Sequence, residues 1–212
     1  MNIMTDAFVE RAAAYYAGKL EAFGPTPRGV DWNSAESQQL RFRQLLRICD
    51  GERVLSLNDY GCGYGALVDY LVDVERRQVS YFGYDAAPSM IAAAHARHAA
   101  RTDCTFSSDR SACRPRDYAV ASGVFNVKGD VPVEDWWTYV SGIVDDLASL
   151  STVGFAFNLL TAYSDADKRR DDLFYADPRA VLDLLLQRWP RRVAVLHDYP
   201  LYEFTVAVRV KD

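Results

Sequence analysis

The sequence predicts an α/β fold in which a mostly parallel sheet is covered by helices on both faces. From residue 53 onward, short runs rich in β-branched and aromatic residues alternate with stretches of helical periodicity. The segment VGFAFNLLT (153–161) is a nearly continuous apolar run, which is typical of a strand buried on both faces. Two further strand-like runs near the end of the sequence are joined by DYPL (198–201), a spacing that favours an antiparallel hairpin.

Composition narrows the classes of function. The chain has 212 residues, half of them hydrophobic, and this predicts one domain over 1–212. A net charge of -5 disfavours a nucleic-acid partner. We find neither a secretory leader pattern nor an apolar run of membrane-spanning length, so a cytoplasmic location is expected. The cysteines form no CxxC pair, which argues against a metal site.

The first 50 residues predict a helical segment in front of the sheet. A helix over 5–20 places five apolar and aromatic residues on one face: Phe8, Ala12, Tyr15, Tyr16 and Leu20. The prolines and glycines of GPTPRG (24–29) end this helix. A second helix is predicted to begin at Asn33, with Glu36 completing a capping box, and to end near Gly51. We interpret 1–50 as a lid and 51–212 as the sheet core.

Seven strands and four helices are predicted after the lid. The strands lie at 53–58, 79–85, 104–108, 117–122, 153–161, 192–197 and 202–210. The helices lie at about 65–76, 87–100, 136–150 and 177–189. Pro88 fits a first helical turn, and Asp177 followed by Pro178 is a cap and first turn. On such a sheet, ligands bind beyond the carboxyl ends of the strands, where the strand order reverses.

The segment NDYGCGYGALVDYL (58–71) places a glycine-rich loop at that position. Its GCGYGA matches a dinucleotide-binding pattern, although a tight strand-to-helix turn without a ligand can match it as well. Asp59 would repel a pyrophosphate, so it favours a ligand with a cationic group. Asp85 ends the second strand, where a carboxylate can accept hydrogen bonds from ribose hydroxyls. The helices that precede the first strand also make a dinucleotide domain the weaker interpretation.

With VLSLNDYGCGYG, YFGYD and APSMIAAA, the chain resembles the class I S-adenosylmethionine-dependent methyltransferases over roughly 53–210. The segments SGVFNVK, LLTAYSD, LFYADP and LHDYPLYEFT are similar to a branch of small bacterial methyltransferases that act on small molecules. The resemblance implies a Rossmann-like, seven-stranded, mostly parallel sheet with a C-terminal antiparallel hairpin. It also implies S-adenosylmethionine as the cofactor and S-adenosylhomocysteine as the product.

The resemblance also implies a cofactor site. Its residues would be Asp59, Gly61, Cys62, Gly63, Gly65, Asp85, Ala86, Ser108, Asp109, Ser122 and Gly123. The glycines would lie beneath the methionine part, Asp59 would hold its ammonium group, and Asp85 would bind the ribose. Asp109 would reach the adenine amino group, with a simple turn cap as the alternative. Ser122 and Gly123 would lie beside the reactive sulfur.

The aromatic content favours a small-molecule acceptor, methylated on oxygen or nitrogen by in-line displacement. SGVFNV replaces the proline-rich turn of DNA amino-methyltransferases after the fourth strand, which disfavours base amines. Candidate acceptor contacts are Tyr15, Tyr16, Trp32, Phe125 and Tyr175, each with core or rim packing as the alternative. Candidate catalytic groups are His197, Asn126 and Tyr163. Arg41 and Arg43 are candidates for the cofactor carboxylate or for surface ion pairs.

Two other functions are compatible with the same loop. One is an NAD(P)-dependent oxidoreductase, against which Asp59 and the late first strand both count. The other is a protein of the same fold that binds the adenosyl cofactor without chemistry. No motif selects the acceptor, the oligomeric state or a general base, since displacement on a sulfonium needs mainly positioning.

Overall fold

The protein folds around one eight-stranded sheet in the computed structural model, which describes residues 3–211. Met1, Asn2 and Asp212 belong to the predicted lid and core ranges but lie outside the described residues. The strands are β1 (Val54–Tyr60), β2 (Gln78–Tyr84), β3 (Cys104–Ser107), β4 (Arg116–Ala121), β5 (Ser151–Thr161), β6 (Tyr175–Ala176), β7 (Val193–Leu196) and β8 (Glu203–Arg209). The helices are α1 (Ile3–Phe23), α2 (Ala35–Leu45), α3 (Ala66–Asp69), α4 (Pro88–Arg97), α5 (Val133–Ser149) and α6 (Pro178–Leu186).

The sheet order is β3-β2-β1-β4-β5-β8-β7, with the short β6 paired to β5 beside this path. β1 to β5 are parallel to one another, whereas β8 is antiparallel to both β5 and β7. The predicted mostly parallel sheet with a final hairpin is therefore confirmed, and β6 is an addition. From β1 the chain adds β2 and β3 on one side of the sheet and then returns to add β4 and β5 on the other side. The strand order therefore reverses between β1 and β4. Ligands of doubly wound sheets bind at this point.

Two apolar layers flank the sheet. One layer is centred on α5 and includes Trp136, Ile143 and Leu147 packed on Phe155 and Phe157. The other layer holds apolar residues of α2, α3 and α4 against the opposite face of the sheet: Phe42, Leu45, Leu67, Leu71, Ile91 and Ala94. Burial on both faces explains why β5 reads as a continuous apolar run.

The helix boundaries differ from the predictions in two places. Ser34, rather than Asn33, caps α2: its side chain accepts from the Ser37 backbone N–H, and the Ser37 hydroxyl accepts from the Ser34 N–H. The helix predicted over 65–76 is short, because α3 passes into a π-helical turn over Tyr70–Val74. The remaining helices lie where the apolar periodicity predicts them. Over residues 3–211, no helix has the length and apolar character that a membrane crossing requires.

Candidate active site

A cleft of about 900 Å³, part of it open to solvent, lies at the carboxyl ends of β1, β2 and β4. Its floor is the loop after β1, and its far walls are the turns after β2 and β4. Its roof comes from the N-terminal segment. The lining residues are Val9, Ala12, Ala13, Tyr16, Val30, Trp32, Gln38, Phe42, Asp59, Tyr60, Gly61, Cys62, Gly63, Tyr64, Ala66, Tyr84, Asp85, Ala86, Met90, Ser122, Gly123, Val124 and Tyr139.

The floor depends on glycines in the left-handed region. Gly61 has φ 79° and Gly63 has φ 55°. A Cβ on Gly61 would overlap the Val124 side chain, whereas one on Gly63 would lie 3.2 Å from Val30 Cγ1. The backbone N–H groups of Gly61 and Cys62 both donate to the Tyr84 carbonyl, at 2.7 and 2.9 Å. The loop is thus held against the end of β2 and presents backbone, without side chains, to the cleft.

Asp85 follows β2 and lies half-buried in the cleft wall. One carboxylate oxygen accepts the Gly63 N–H at 2.8 Å, and the other accepts the Ala87 N–H at 2.9 Å. Burial raises the pKa of Asp85, although these two N–H bonds oppose the shift. Each carboxylate oxygen can accept a second hydrogen bond. Asp85 therefore holds the glycine loop to the start of α4 and keeps acceptor capacity toward the cleft.

Asp59 is a second carboxyl group on the cleft wall and lies buried within β1. Its pKa is raised to about 7: burial is the main cause and the nearby Asp85 adds to it, whereas the Tyr81 hydroxyl that donates to Asp59 at 2.6 Å opposes the shift. Two acids at one end of a cleft repel an anionic ligand and attract a cationic one. This pair fits an ammonium-bearing nucleoside better than a pyrophosphate.

The turn after β4 brings a glycine with positive φ and an unpaired hydroxyl group to the cleft. Gly123 has φ 76°, and a Cβ there would lie 2.6 Å from Trp32 Cζ2. Its N–H donates to Asn158 Oδ1 at 2.8 Å. The Ser122 Oγ is buried and has no hydrogen-bond partner within residues 3–211. Buried hydroxyl groups are normally paired, so this atom is suited to a bound ligand.

The N-terminal segment closes the cleft from above. Tyr16 on α1 lies against Gly123, with its hydroxyl 3.5 Å from the Gly123 carbonyl oxygen. Burial and the nearby Asp31 raise the pKa of Tyr16, so its hydroxyl stays protonated and acts as a donor. Asp31 accepts hydrogen bonds from Tyr15 and Lys19, both at 2.7 Å, which ties the segment after α1 back to that helix. The segment thus covers the cleft on this side.

These residues fit an S-adenosylmethionine-like ligand. The glycine loop leaves room for close backbone contact, Asp59 and Asp85 match a cationic nucleoside, and Ser122 offers an unused hydroxyl. No family model matches the chain. A protein of Mycobacterium tuberculosis (strain ATCC 25618 / H37Rv), named "Putative methyltransferase Rv1506c", is 46% identical over 164 residues, which are 77% of this chain and 98% of that protein. The chain belongs to the class I S-adenosylmethionine-dependent methyltransferases.

Solved structures share the fold of this methyltransferase at low sequence identity. The N-methyltransferase NodS from Bradyrhizobium japonicum WM9, in complex with S-adenosylhomocysteine, has a TM-score of 0.63 and 17% identity over 93% of this chain and 97% of NodS. The N-terminal domain of EvdMO1, in the presence of S-adenosylhomocysteine and D-fucose, has a TM-score of 0.58 and 14% identity over 85% of each chain. The relative at 46% identity is named a methyltransferase, which counts against the oxidoreductase alternative.

Most of the proposed cofactor residues line the cleft of the methyltransferase, whereas Ser108 and Asp109 do not. Asp109 is exposed, and its carboxylate accepts the Ser111 N–H at 2.8 Å, which is the turn cap given above as the alternative. Gly65 has φ 81° and begins α3 next to His98 rather than in the wall. The wall also contains polar and aromatic residues that the sequence does not mark as site candidates, among them Gln38, Phe42, Tyr60, Tyr84 and Tyr139.

Some of the residues predicted to contact the acceptor lie at the cleft, and others do not. Tyr16 and Trp32 line the cleft, and Asn126 lies buried beside Gly123 with its Nδ2 3.7 Å from the position of a Gly123 Cβ. The expectation for Phe125 is wrong, because its ring is fully buried against Phe157 in the core below. Its position after β4 turns the side chain into the sheet layer rather than toward the ligand.

The remaining candidates lie outside the cleft wall. Tyr163 is 62% exposed, and its ring lies 6.2 Å from that of His197, which is also exposed. Tyr175 lies in β6, where its hydroxyl accepts the Arg170 N–H. Tyr15 is occupied with Asp31. These residues lie toward the end of the sheet that carries the cleft, but the structure does not bring their side chains to its wall.

Proposed function

We propose that the protein transfers the methyl group of S-adenosylmethionine to an oxygen or nitrogen atom of a small molecule. The observation that carries this proposal is the roof of the cleft. Val9, Ala12, Ala13 and Tyr16 of α1, with Trp32, cover the glycine loop and the turn after β4. A roof of one helix and one indole ring leaves space for a small acceptor, whereas a folded macromolecule cannot enter. The name of NodS as an N-methyltransferase and the D-fucose with EvdMO1 agree with this proposal.

The cofactor supplies an electrophilic methyl group on a sulfonium and leaves as S-adenosylhomocysteine. In the proposed arrangement, Asp59 binds the ammonium group, and the glycine loop lies beneath the methionine part. Asp85 accepts hydrogen bonds from the ribose hydroxyls while it keeps its bonds to Gly63 and Ala87. The contribution of the protein is mainly to hold the acceptor atom about 3 Å from the methyl group, in line with the breaking bond.

The side chains that line the cleft favour a nitrogen atom over an oxygen atom of the acceptor as the attacking atom. Among the described residues that line the cleft, none is a histidine or a lysine. Asp59 and Asp85 are the carboxyl groups of that wall, and the proposal engages both with the cofactor. A neutral amine attacks through its lone pair and loses its proton to water afterwards, whereas a hydroxyl needs a base first. Tyr16, which stays protonated, can donate a hydrogen bond but cannot serve as that base.

The test is release of S-adenosylhomocysteine with panels of small amines and of small alcohols and phenols, with tRNA and a bulk protein fraction as macromolecular acceptors. We expect turnover with members of the amine panel and none with either macromolecule. Turnover with RNA or protein alone would contradict a small-molecule acceptor, and turnover with hydroxyl compounds alone would contradict the preference for nitrogen. Calorimetric titration with S-adenosylmethionine, S-adenosylhomocysteine and NADH serves as the control for cofactor identity.

A further inference from the structure

A closed ring of contacts connects the roof of the cleft to the turn after β4. Arg41 Nε donates to Glu203 Oε2 at 2.7 Å, and Asn158 Nδ2 donates to Glu203 Oε1 at 3.2 Å. Asn158 Oδ1 accepts the Gly123 N–H at 2.8 Å. Trp32 closes the ring, since its indole packs on the α-carbon of Gly123 and stacks on the Arg41 guanidinium at 3.9 Å.

The charged part of the ring is buried. The side chains of Arg41 and Glu203 are 9% and 1% exposed, and Asn158 is 1% exposed. Burial raises the pKa of Glu203, although Arg41 and Asn158 oppose the shift. A buried ion pair of this kind contributes little to stability compared with apolar residues of the same volume, because both charges lose their hydration. Stability alone therefore does not account for its presence.

The geometry shows what the ring holds in place. Trp32 and Gly123 line the cleft, whereas Arg41, Asn158 and Glu203 do not. Arg41 also donates to the Ser37 carbonyl, so its guanidinium plane is fixed on two sides and presents a flat face to the indole. Arg41, Asn158 and Glu203 therefore affect the cleft only through Trp32 and Gly123.

We propose that Arg41, Glu203 and Asn158 are positioning residues that hold Trp32 and the Gly123 backbone in one fixed relation, so that the roof and the turn after β4 close on the cofactor as a unit. The proposal deepens the function proposed above and rests on it. Trp32 reaches the cleft from the segment between α1 and α2, and Gly123 belongs to the turn predicted to lie beside the sulfur. Cofactor binding and the arrangement of Trp32 then depend on each other.

A double-mutant cycle tests this coupling. Arg41→Lys keeps the positive charge but loses the planar stack and the forked donors. Trp32→Leu removes the indole without changing a buried charge. Since each variant removes the stack of the guanidinium on the indole, we expect each to weaken S-adenosylmethionine binding about tenfold in calorimetric titration. We expect the double variant to be no weaker than either single variant, because both changes break the same ring.

Arg43→Lys is the matched control, because Arg43 lies on the same helix and is exposed. Arg43→Lys alone should leave the affinity for S-adenosylmethionine unchanged. Combined with Trp32→Leu, it should give the same affinity as Trp32→Leu alone. Additive losses for Arg41→Lys and Trp32→Leu, or unchanged affinity in both, would overturn the proposal while leaving cofactor binding by the wild-type protein intact. Failure of the wild-type protein to bind S-adenosylmethionine would instead contradict the proposed function itself.

A second variant distinguishes positioning from a purely structural role. Arg41→Met combined with Glu203→Leu removes both buried charges at once, so no single charge is left unpaired, although the Asn158 amide loses its acceptor. We expect a melting temperature only a few degrees below that of the wild-type protein, from this one unpaired N–H group, together with an affinity loss of about tenfold. Tryptophan fluorescence, read against Trp32→Phe, should show that cofactor no longer changes the Trp32 signal. Wild-type affinity and an unchanged Trp32 response in this variant would show that the ring only supports the fold.

Discussion

Replacing Asp85 by alanine tests the centre of the cofactor site. Its carboxylate accepts the Gly63 and Ala87 N–H groups, and in the proposed complex it also accepts the ribose hydroxyls. Two charge-assisted bonds at about 1.5–3 kcal/mol each give a loss of at least about 3 kcal/mol, or roughly a hundredfold in affinity. The acid ends a strand and faces a cleft, so it supports little core packing, but its two bonds to backbone N–H groups add a cost in stability.

The stability cost follows from the same contacts. Asp85→Ala leaves two N–H groups without their acceptor, at about 1 kcal/mol each, the low end of the range because the cleft admits water. For a chain of this size, about 2 kcal/mol lowers the melting temperature by about 4–8 °C. Asp85→Asn should lose less of both quantities, since its amide oxygen still accepts one bond.

Asp109→Ala is the matched control for Asp85→Ala. It also removes a carboxylate that accepts a backbone N–H, but on an exposed turn away from the cleft. We expect a small fall in melting temperature and unchanged affinity for S-adenosylmethionine. Calorimetric titration and thermal melts on the three variants give both quantities. Binding by Asp85→Ala within about threefold of the wild-type value would refute the ribose role, and a loss of affinity in Asp109→Ala would restore Asp109 as the adenine contact.

Three further predictions concern the floor, the buried acid and the lid. Gly61→Ala should abolish cofactor binding, because its Cβ would overlap Val124. Gly51→Ala is the control: it places alanine at φ 87° and so introduces the same backbone strain, but the space around it is open, and it should bind the cofactor normally in titration. The pKa of Asp59 is raised from an unfolded value of 3.8 to about 7, so the folded state binds the proton more tightly than the unfolded state. The resulting contribution to stability is fully present below pH 3.8 and is lost as the pH rises through 7. Melting curves from pH 5 to pH 8 should therefore fall more steeply for the wild-type protein than for Asp59→Asn, and parallel curves would contradict the buried state of this acid. Asp31→Asn should speed S-adenosylmethionine dissociation several-fold in stopped-flow measurements, because it weakens the bonds from Tyr15 and Lys19 within the lid and the 3.5 Å ion pair with Arg170 that joins the lid to the core. An unchanged dissociation rate would show that these contacts of Asp31 do not limit opening.

The sequence predicts the sheet and the floor of the site well, because both depend on local chemistry. The apolar run of β5 and the alternation of strands with helices reflect burial that each segment undergoes by itself. The positive φ values of Gly61 and Gly63 require glycine, so the loop is visible in the sequence. Asp59 and Asp85 are recognised by their position at strand ends, which fixes the edge of the sheet that they reach.

The roof and the acceptor side are harder to predict, because they depend on contacts between distant segments. Phe125 follows β4 just as Gly123 does, yet the first is in the core and the second is in the cleft. Nothing in the pattern around Arg41 marks it as buried, since its partner Glu203 lies 162 residues away. Tyr139 reads only as part of the apolar face of α5, although it also lines the cleft. The periodicity of apolar residues shows which face of a helix is buried. It does not show whether that face packs in the core or lines a ligand-binding cleft.

The position of β8 has a consequence for how the chain reaches its working form. β8 is inserted between β5 and β7, so an emerging polypeptide that still lacks 203–209 has no neighbour for β7 and no counter-ion for Arg41. Pairing that spans so much of the chain is slow to form, and until then the apolar edge of β5 stays open to other chains. The ring of Trp32, Arg41, Glu203, Asn158 and Gly123 is therefore among the last parts of the protein to assemble, and a prematurely terminated product would lack the ion pair within it.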